Sequence, residues 1–232
     1  MKYLKKINIV FLLLLVITVK INGQNIKDDL VKVAQKMAQN NFKMNVQMKM
    51  VHWEEALPST TSKGIVKRKD NNYYTDFDNQ INLINDKYTV IVAKEDKQII
   101  YSEVDNADNT ANPNEKITSL PENEEFYKNA TLLKSDNSGN VYEITKPQFG
   151  MLKMVIHISK DDVLREVVYH YEKNEHSPIK EITITYSNVV FNPAFSSTEF
   201  SEKIFLNKVN EKMVLTEAYS DYKLINPAQQ QN

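Results

Sequence analysis

The segment FKMNVQMKMVHW, Phe42 to Trp53, decides how the rest of the chain is read. Phe42, Met44, Val46, Met48 and Met50 alternate with Lys43, Asn45, Gln47 and Lys49. A period of two belongs to a strand with one face buried and the other in water. Just upstream the period differs. Ile26, Leu30, Val33, Ala34 and Met37 recur at helical spacing, which predicts a helix with one apolar stripe. Asp28 and Asp29 are expected in its first turn, where the helix dipole favours negative charge. Helix followed directly by a long strand is therefore the start of the fold.

Downstream the strand pattern repeats. The runs Gly64 to Lys69, Asn72 to Phe77, Gln80 to Ile84, Tyr88 to Ala93 and Gln98 to Val104 are separated by Asn, Asp and Lys turns, as in antiparallel hairpins. A polar, asparagine-rich stretch from Asp105 to Asn129 interrupts them, and its part after Pro121 predicts a short helix with proline in first position. Strand-like runs then resume at Thr131 to Lys134, Val141 to Lys146, Leu152 to Ser159, Val163 to Tyr171 and Ile179 to Tyr186. Asn137-Ser138-Gly139-Asn140 and Lys160-Asp161-Asp162 supply turn chemistry between them. Because strands of one kind flank it, the polar stretch is a loop or lid within one domain and not a linker. Towards the end, Lys203 to Leu215 predicts a hairpin, Tyr219, Tyr222, Leu224 and Ile225 pack back on the sheet, and PAQQQN is expected to fray. Ten or eleven strands after one helix make the chain α+β, mainly antiparallel, and curled into a half-open barrel.

The first residues have a different fate. Lys2, Lys5 and Lys6 precede an apolar run from Ile7 to Val19, and Ile21-Asn22-Gly23 offers a cleavage site. Residues 1–23 read as a secretory signal peptide. The run is shorter than the ~20 residues of a membrane-spanning helix, and no later run approaches that length. The expected mature chain, 24–232, is one periplasmic domain without a transmembrane segment. It has no cysteine, so disulfides, thiolate metal sites and a lipid anchor on an N-terminal cysteine are excluded, and stability must come from packing and hydrogen bonds. A net charge of -1, from 29 basic and 30 acidic side chains, supplies no global field for nucleic acid.

Two long stretches carry a resemblance. GIVKRKDNNYYTDFDNQINLINDKYTVIVAKEDKQIIYS, Gly64 to Ser102, has a glycine-led basic strand, an aromatic strand, an INDKYTVIV strand and a closing tyrosine strand. EITITYSNVVFNPAFSSTEFSEKIFL, Glu181 to Leu206, has a long last strand, a corner at Asn192-Pro193 and Phe200 beyond it. Together they resemble the LolA-like carriers that ferry lipoproteins to the outer membrane, over most of the mature chain. The resemblance implies a half-barrel whose concave face is partly covered by the N-terminal helix and a short lid helix. Its hydrophobic-ligand lining would comprise Leu30, Met37, Met44, Val46, Met48, Met50, Tyr73, Met154, Ile156, Ile182 and Ile184. The pattern departs from the carriers at KRKDNNYYTDF: Tyr74 stands where they place a lid-latching arginine, and no proline precedes it. The extra C-terminal segment LTEAYSDYKLIN is a second departure.

Read without the resemblance, the methionines leave three roles open: core, adaptable lining for a hydrophobic ligand, or soft-metal ligands. Met48, Met50 and His52 share one strand face, and thioethers suit Cu(I). Successive same-face residues lie about 7 Å apart, whereas metal–sulfur bonds are near 2.3 Å, so no metal is assigned. Only four glycines occur, at Gly23, Gly64, Gly139 and Gly150, which rules out a phosphate-cradling loop and a G-x-S-x-G elbow. His157, His170 and His176 stand singly, the first two on the solvent-facing alternation with Lys153 and Glu166. Glu54-Glu55 and Glu122 to Glu125 read as solvated charge. No catalytic residue or cofactor is expected. The expected function is a monomeric, non-enzymatic carrier or binding protein for a lipoprotein acyl chain, lipid or other hydrophobic client. The alternative is a structural or interaction module of an envelope assembly, with envelope protein partners and a cavity filled by its own side chains.

Overall fold

Helix α1 spans Asn22–Gln39. It begins before the stripe implies and runs through the expected cleavage point, so Asp28 and Asp29 lie in its second turn and no acidic residue occupies the first. The computed structural model describes residues 22–104, 124–147, 150–174 and 178–227; most of the signal segment, residues 105–123, His176 and the last five residues lie outside this set.

After α1 come β1 (Phe42–His52), β2 (Thr60–Lys69), β3 (Asn72–Phe77), β4 (Gln80–Ile84), β5 (Tyr88–Ala93) and β6 (Gln98–Glu103). The short helix α2 (Glu124–Lys128) precedes β7 (Ala130–Asp136), β8 (Gly139–Thr145), β9 (Met151–Ile158), β10 (Leu164–Tyr171) and β11 (Ile179–Phe191). The tail adds β12 (Leu206–Val209), β13 (Lys212–Leu215) and β14 (Lys223–Ile225). Twelve strands form one sheet in the order β14-β6-β5-β4-β3-β2-β1-β11-β10-β9-β8-β7, and β12-β13 form a separate hairpin. Eleven of the twelve are the runs legible in the sequence, and the last is the three-residue β14, laid parallel on β6. The sheet is curved and open and does not close into a barrel.

Two antiparallel meanders, β2 to β6 and β7 to β11, meet where β1 pairs with both β2 and β11. Residues directly opposite on neighbouring strands share a face, so the register traces each face across the sheet. One row runs Leu132, Tyr142, Ile156, Val167, Ile184, Met48, Ser62. Its first half lies in a core with Ile26 and Val33 of α1 and Tyr127 of α2. Another row runs Lys43, Lys67, Tyr74, Leu83, Val90, Tyr101. Lys43 and Met48 project to opposite sides of β1, so this second row is on the other face. There Leu83, Val90 and Val92, all fully buried, pack against Phe200, Phe205 and Leu206 of the tail.

The sheet thus has two cores on opposite faces. Helix α1 covers one face of the β7–β10 half, and the tail covers the other face of the β3–β6 half. The helical covering of the apolar face that the half-barrel expectation gave is confined to β7 to β10. On β3 to β5 the helix-side positions mix polar residues, Thr75, Gln80, Asn82 and Thr89, with Tyr73, Phe77, Ile84 and Ile91, whereas Leu83, Val90 and Val92 turn to the tail.

Candidate functional site

Between these coverings lies the strand that opened the sequence. Met44, Val46, Met48 and Met50 are all half-buried, whereas Phe42 at the start of the strand is buried. Across β11, Met50 faces Ile182, Met48 faces Ile184 and Val46 faces Tyr186. Ile182 then faces Tyr169, and Ile184 faces Val167, on β10. Six apolar side chains, four from β1 and two from β11, form a strip belonging to neither core. From Met44 to Met50 it is about 20 Å long at the rise of an extended strand.

On the β2 side the strip is bounded by Gly64. A Cβ there would meet Phe77 Cδ2 at 2.4 Å and the Asp76 carbonyl at 2.5 Å. Gly64 sits between Val46 and Phe77 in the register, so the missing side chain is what lets the Phe77 ring approach β2. Beyond Phe77 the face becomes polar at Gln80.

The remaining expected lining residues share this face but are already occupied. Met154 and Ile156 are buried in the helix-side core, and Leu30 and Met37 of α1 pack against it. Tyr73 is buried too, with the Arg68 guanidinium 5.8 Å from its ring centroid. One face therefore holds all eleven residues, and six of them remain at a partly open surface.

Polar contacts at Asp29 and at the Met37 carbonyl help to fix α1 on the sheet, and neither had a signal in the sequence. Asp29 accepts hydrogen bonds from Tyr142 Oη (2.7 Å), Asn140 Nδ2 (2.7 Å) and Lys32 Nζ (2.9 Å). Burial pushes the Asp29 carboxyl up, but these donors outweigh it and hold it below its ordinary value. At the other end of α1, Arg68 Nη1 donates to the Met37 carbonyl, where the helix dipole favours a cation. Tyr74 lies on the far face in the tail core, under Lys67 Nζ at 5.0 Å. Burial, with Asp76 and Tyr219 nearby, pushes its phenol up to about 12. A residue at that position cannot touch α1, because adjacent residues of a strand point to opposite faces.

The histidines are less bland than the alternation suggested. His157 does share a face with Lys153 and Glu166, but its Nε2 is buried without a hydrogen-bond partner. His170 Nδ1 lies 3.3 Å from Glu181 Oε2. His52 closes the methionine strand with a buried, unpartnered Nδ1. Among the described residues no three His, Asp or Glu side chains gather closely enough to hold a metal ion, and no helix is long and apolar enough to cross a membrane.

With this geometry in hand, comparison with known proteins gives likeness of fold alone. No family model matches the sequence, and no curated protein matches it. Among solved structures, the chain is similar to an uncharacterized conserved protein from Thermus thermophilus, with 10% identity, 87% of this chain and 99% of that one covered, and a TM-score of 0.47. It is also similar to a LolA superfamily protein from Nitrosomonas europaea, with 12% identity, coverage of 77% and 98%, and a TM-score of 0.34. A putative outer membrane lipoprotein-sorting protein domain from Vibrio parahaemolyticus shows 14% identity, coverage of 75% and 97%, and a TM-score of 0.32.

Proposed function

We propose that the protein is an exported, non-enzymatic binding protein that holds a hydrophobic client, a lipid or the acyl chain of a lipoprotein, against the strip formed by Met44, Val46, Met48, Met50, Ile182 and Ile184. The observation carrying this reading is the partial burial of these six side chains, while the residues continuing the same rows, such as Tyr142, Met154 and Ile156, are buried. Fully burying an apolar side chain is worth roughly 1.5–3 kcal/mol relative to leaving it exposed, so covering these partly exposed neighbours contributes a fraction of that from each and favours an apolar ligand. Methionine suits the task because its unbranched, polarizable side chain refills around different shapes. The lysine-led apolar run at the N-terminus supports export to the periplasm. A scaffold with a filled interior has less support, because the strip is not sealed by either core.

Native mass spectrometry of protein purified from its own envelope, with lipid extraction, is the direct test. A co-purifying lipid is expected, together with binding of a neutral fluorescent probe that weakens in the Met48→Asp, Ile184→Asp double variant. Apo protein throughout, with no probe binding, rejects the reading.

A further inference from the structure

We propose that Met44, Met48 and Met50 form an oxidation site, at which hypochlorous acid or another two-electron oxygen donor converts thioethers to sulfoxides and so releases the client; the release step rests on the strip being the binding surface. The methionines divide by their surroundings. Of the eight in the chain, seven lie among the described residues. Met151 and Met154 are 4% and 6% exposed inside the helix-side core, Met37 packs against that core, and Met213 packs against the tail core. Met44, Met48 and Met50 belong to neither core and stay partly exposed. The chain has no cysteine, so reversible two-electron oxidation of its side chains falls to the thioethers, the accessible ones first.

The reaction balances between the oxidant and the side chain alone. The oxygen of hypochlorous acid bonds to sulfur as its bond to chlorine breaks; sulfur loses two electrons, chlorine leaves with them as chloride, and the proton goes to solvent. The side chain, apolar before, is then polar. An apolar chain laid over it strips water from the new oxygen, a penalty that each oxidised methionine adds to. The fold itself is spared. Across β2, Met50 stands opposite Thr60 and Met48 opposite Ser62, and Thr60 is exposed, so an added oxygen at this border stays hydrated while both cores keep their packing. The oxidisable groups are also concentrated: β1 places methionine at three of its four strip positions, whereas β11 across from it supplies Ile182 and Ile184.

Graded hypochlorous acid, quenched and followed by peptide mass mapping and by binding of the neutral fluorescent probe, tests the site and the release on the mature protein. Sulfoxide is expected at Met44, Met48 and Met50 before Met151 and Met154, with probe affinity falling about tenfold or more and the melting transition retained. Methionine sulfoxide reductases of both epimer specificities, supplied with dithiothreitol, should restore the affinity: the oxygen leaves in water and the dithiol closes to a disulfide. The Met44→Leu, Met48→Leu, Met50→Leu variant nearly conserves side-chain volume and retains Met37 and Met213. It is expected to bind the probe and to go on binding it after the same treatment. Oxidation of Met151 and Met154 in step with the strip overturns the site. An affinity that survives strip oxidation, that the reductases fail to restore, or that falls equally in the leucine variant overturns the release and leaves the hydrophobic-client reading standing. Unoxidised protein that binds no probe rejects that reading and the release with it, while the order of oxidation still decides the site.

Discussion

At the residue scale, two positions show how a small local choice controls the neighbourhood of the strip. Gly64 has an ordinary backbone conformation for a strand, so its value lies in the absent Cβ and not in conformational freedom. Gly64→Ala forces the Asp76 carbonyl, the Phe77 backbone and the Phe77 ring to move, and overpacking of this kind costs about 1–3 kcal/mol. A lowered melting temperature is expected, and an unchanged one would show that β3 shifts freely. Asp29 gives a pH prediction. Its folded-state pKa is lowered, so its contribution to stability is complete above the unfolded value near 4 and is lost as pH falls through the folded one. Denaturant titrations from pH 5 to pH 2 should therefore show a shallower loss of stability in Asp29→Asn than in the parent. Parallel slopes would place the acid sensitivity elsewhere.

At the scale of elements, the tail matters most. Its residues Phe195 to Leu224 include three edge-to-face pairs that build a layer over β3 to β6, Phe195 with Phe200, Phe205 with Tyr219 and Tyr219 with Tyr222. Phe205 is 1% exposed, so Phe205→Ala should cost about 3–5 kcal/mol, read as a fall in the urea midpoint. The tail also occupies the edge of the sheet: Lys97 Nζ pairs with Asp221 Oδ2 at 2.5 Å, and β14 hydrogen-bonds along β6. The ion pair is exposed and adds little. The aromatic layer, in contrast, buries one face of the β3 to β6 half.

For the whole molecule, two cores on opposite faces of one sheet imply two units of local stability joined at β1, β2 and β11. Backbone amides of β4 to β6 should therefore exchange faster in Phe205→Ala while those of β8 to β10 keep most of their protection; Ile144→Ala, in the helix-side core, should do the reverse. Hydrogen exchange read by mass spectrometry distinguishes this from uniform acceleration, which would mean one cooperative unit. The same arrangement explains why, among the described residues, the strip belongs to neither core. Each core draws apolar side chains from its own half, and the crossover point at β1 falls under neither covering.

Periodicity alone determined the elements of this protein. The switch from helical spacing at Ile26–Met37 to alternation at Phe42–Met50, and the turn residues between later runs, locate β1 to β11, because both signals are local to a few residues. Alternation also showed that the methionines share one face. Which partner each face meets was decided only by the tertiary structure. Leu83 and Val90 on the one hand and Ile144 and Ile156 on the other have the same local pattern of apolar residues, yet they bury on opposite sides, because α1 packs on one half and the tail on the other. The role of Asp29 and Arg68 was hidden for the same reason: their partners, Tyr142 and the Met37 carbonyl, are 113 and 31 residues away in the chain. Spacing along a strand fixes a side chain's direction, and only folding fixes what stands in front of it.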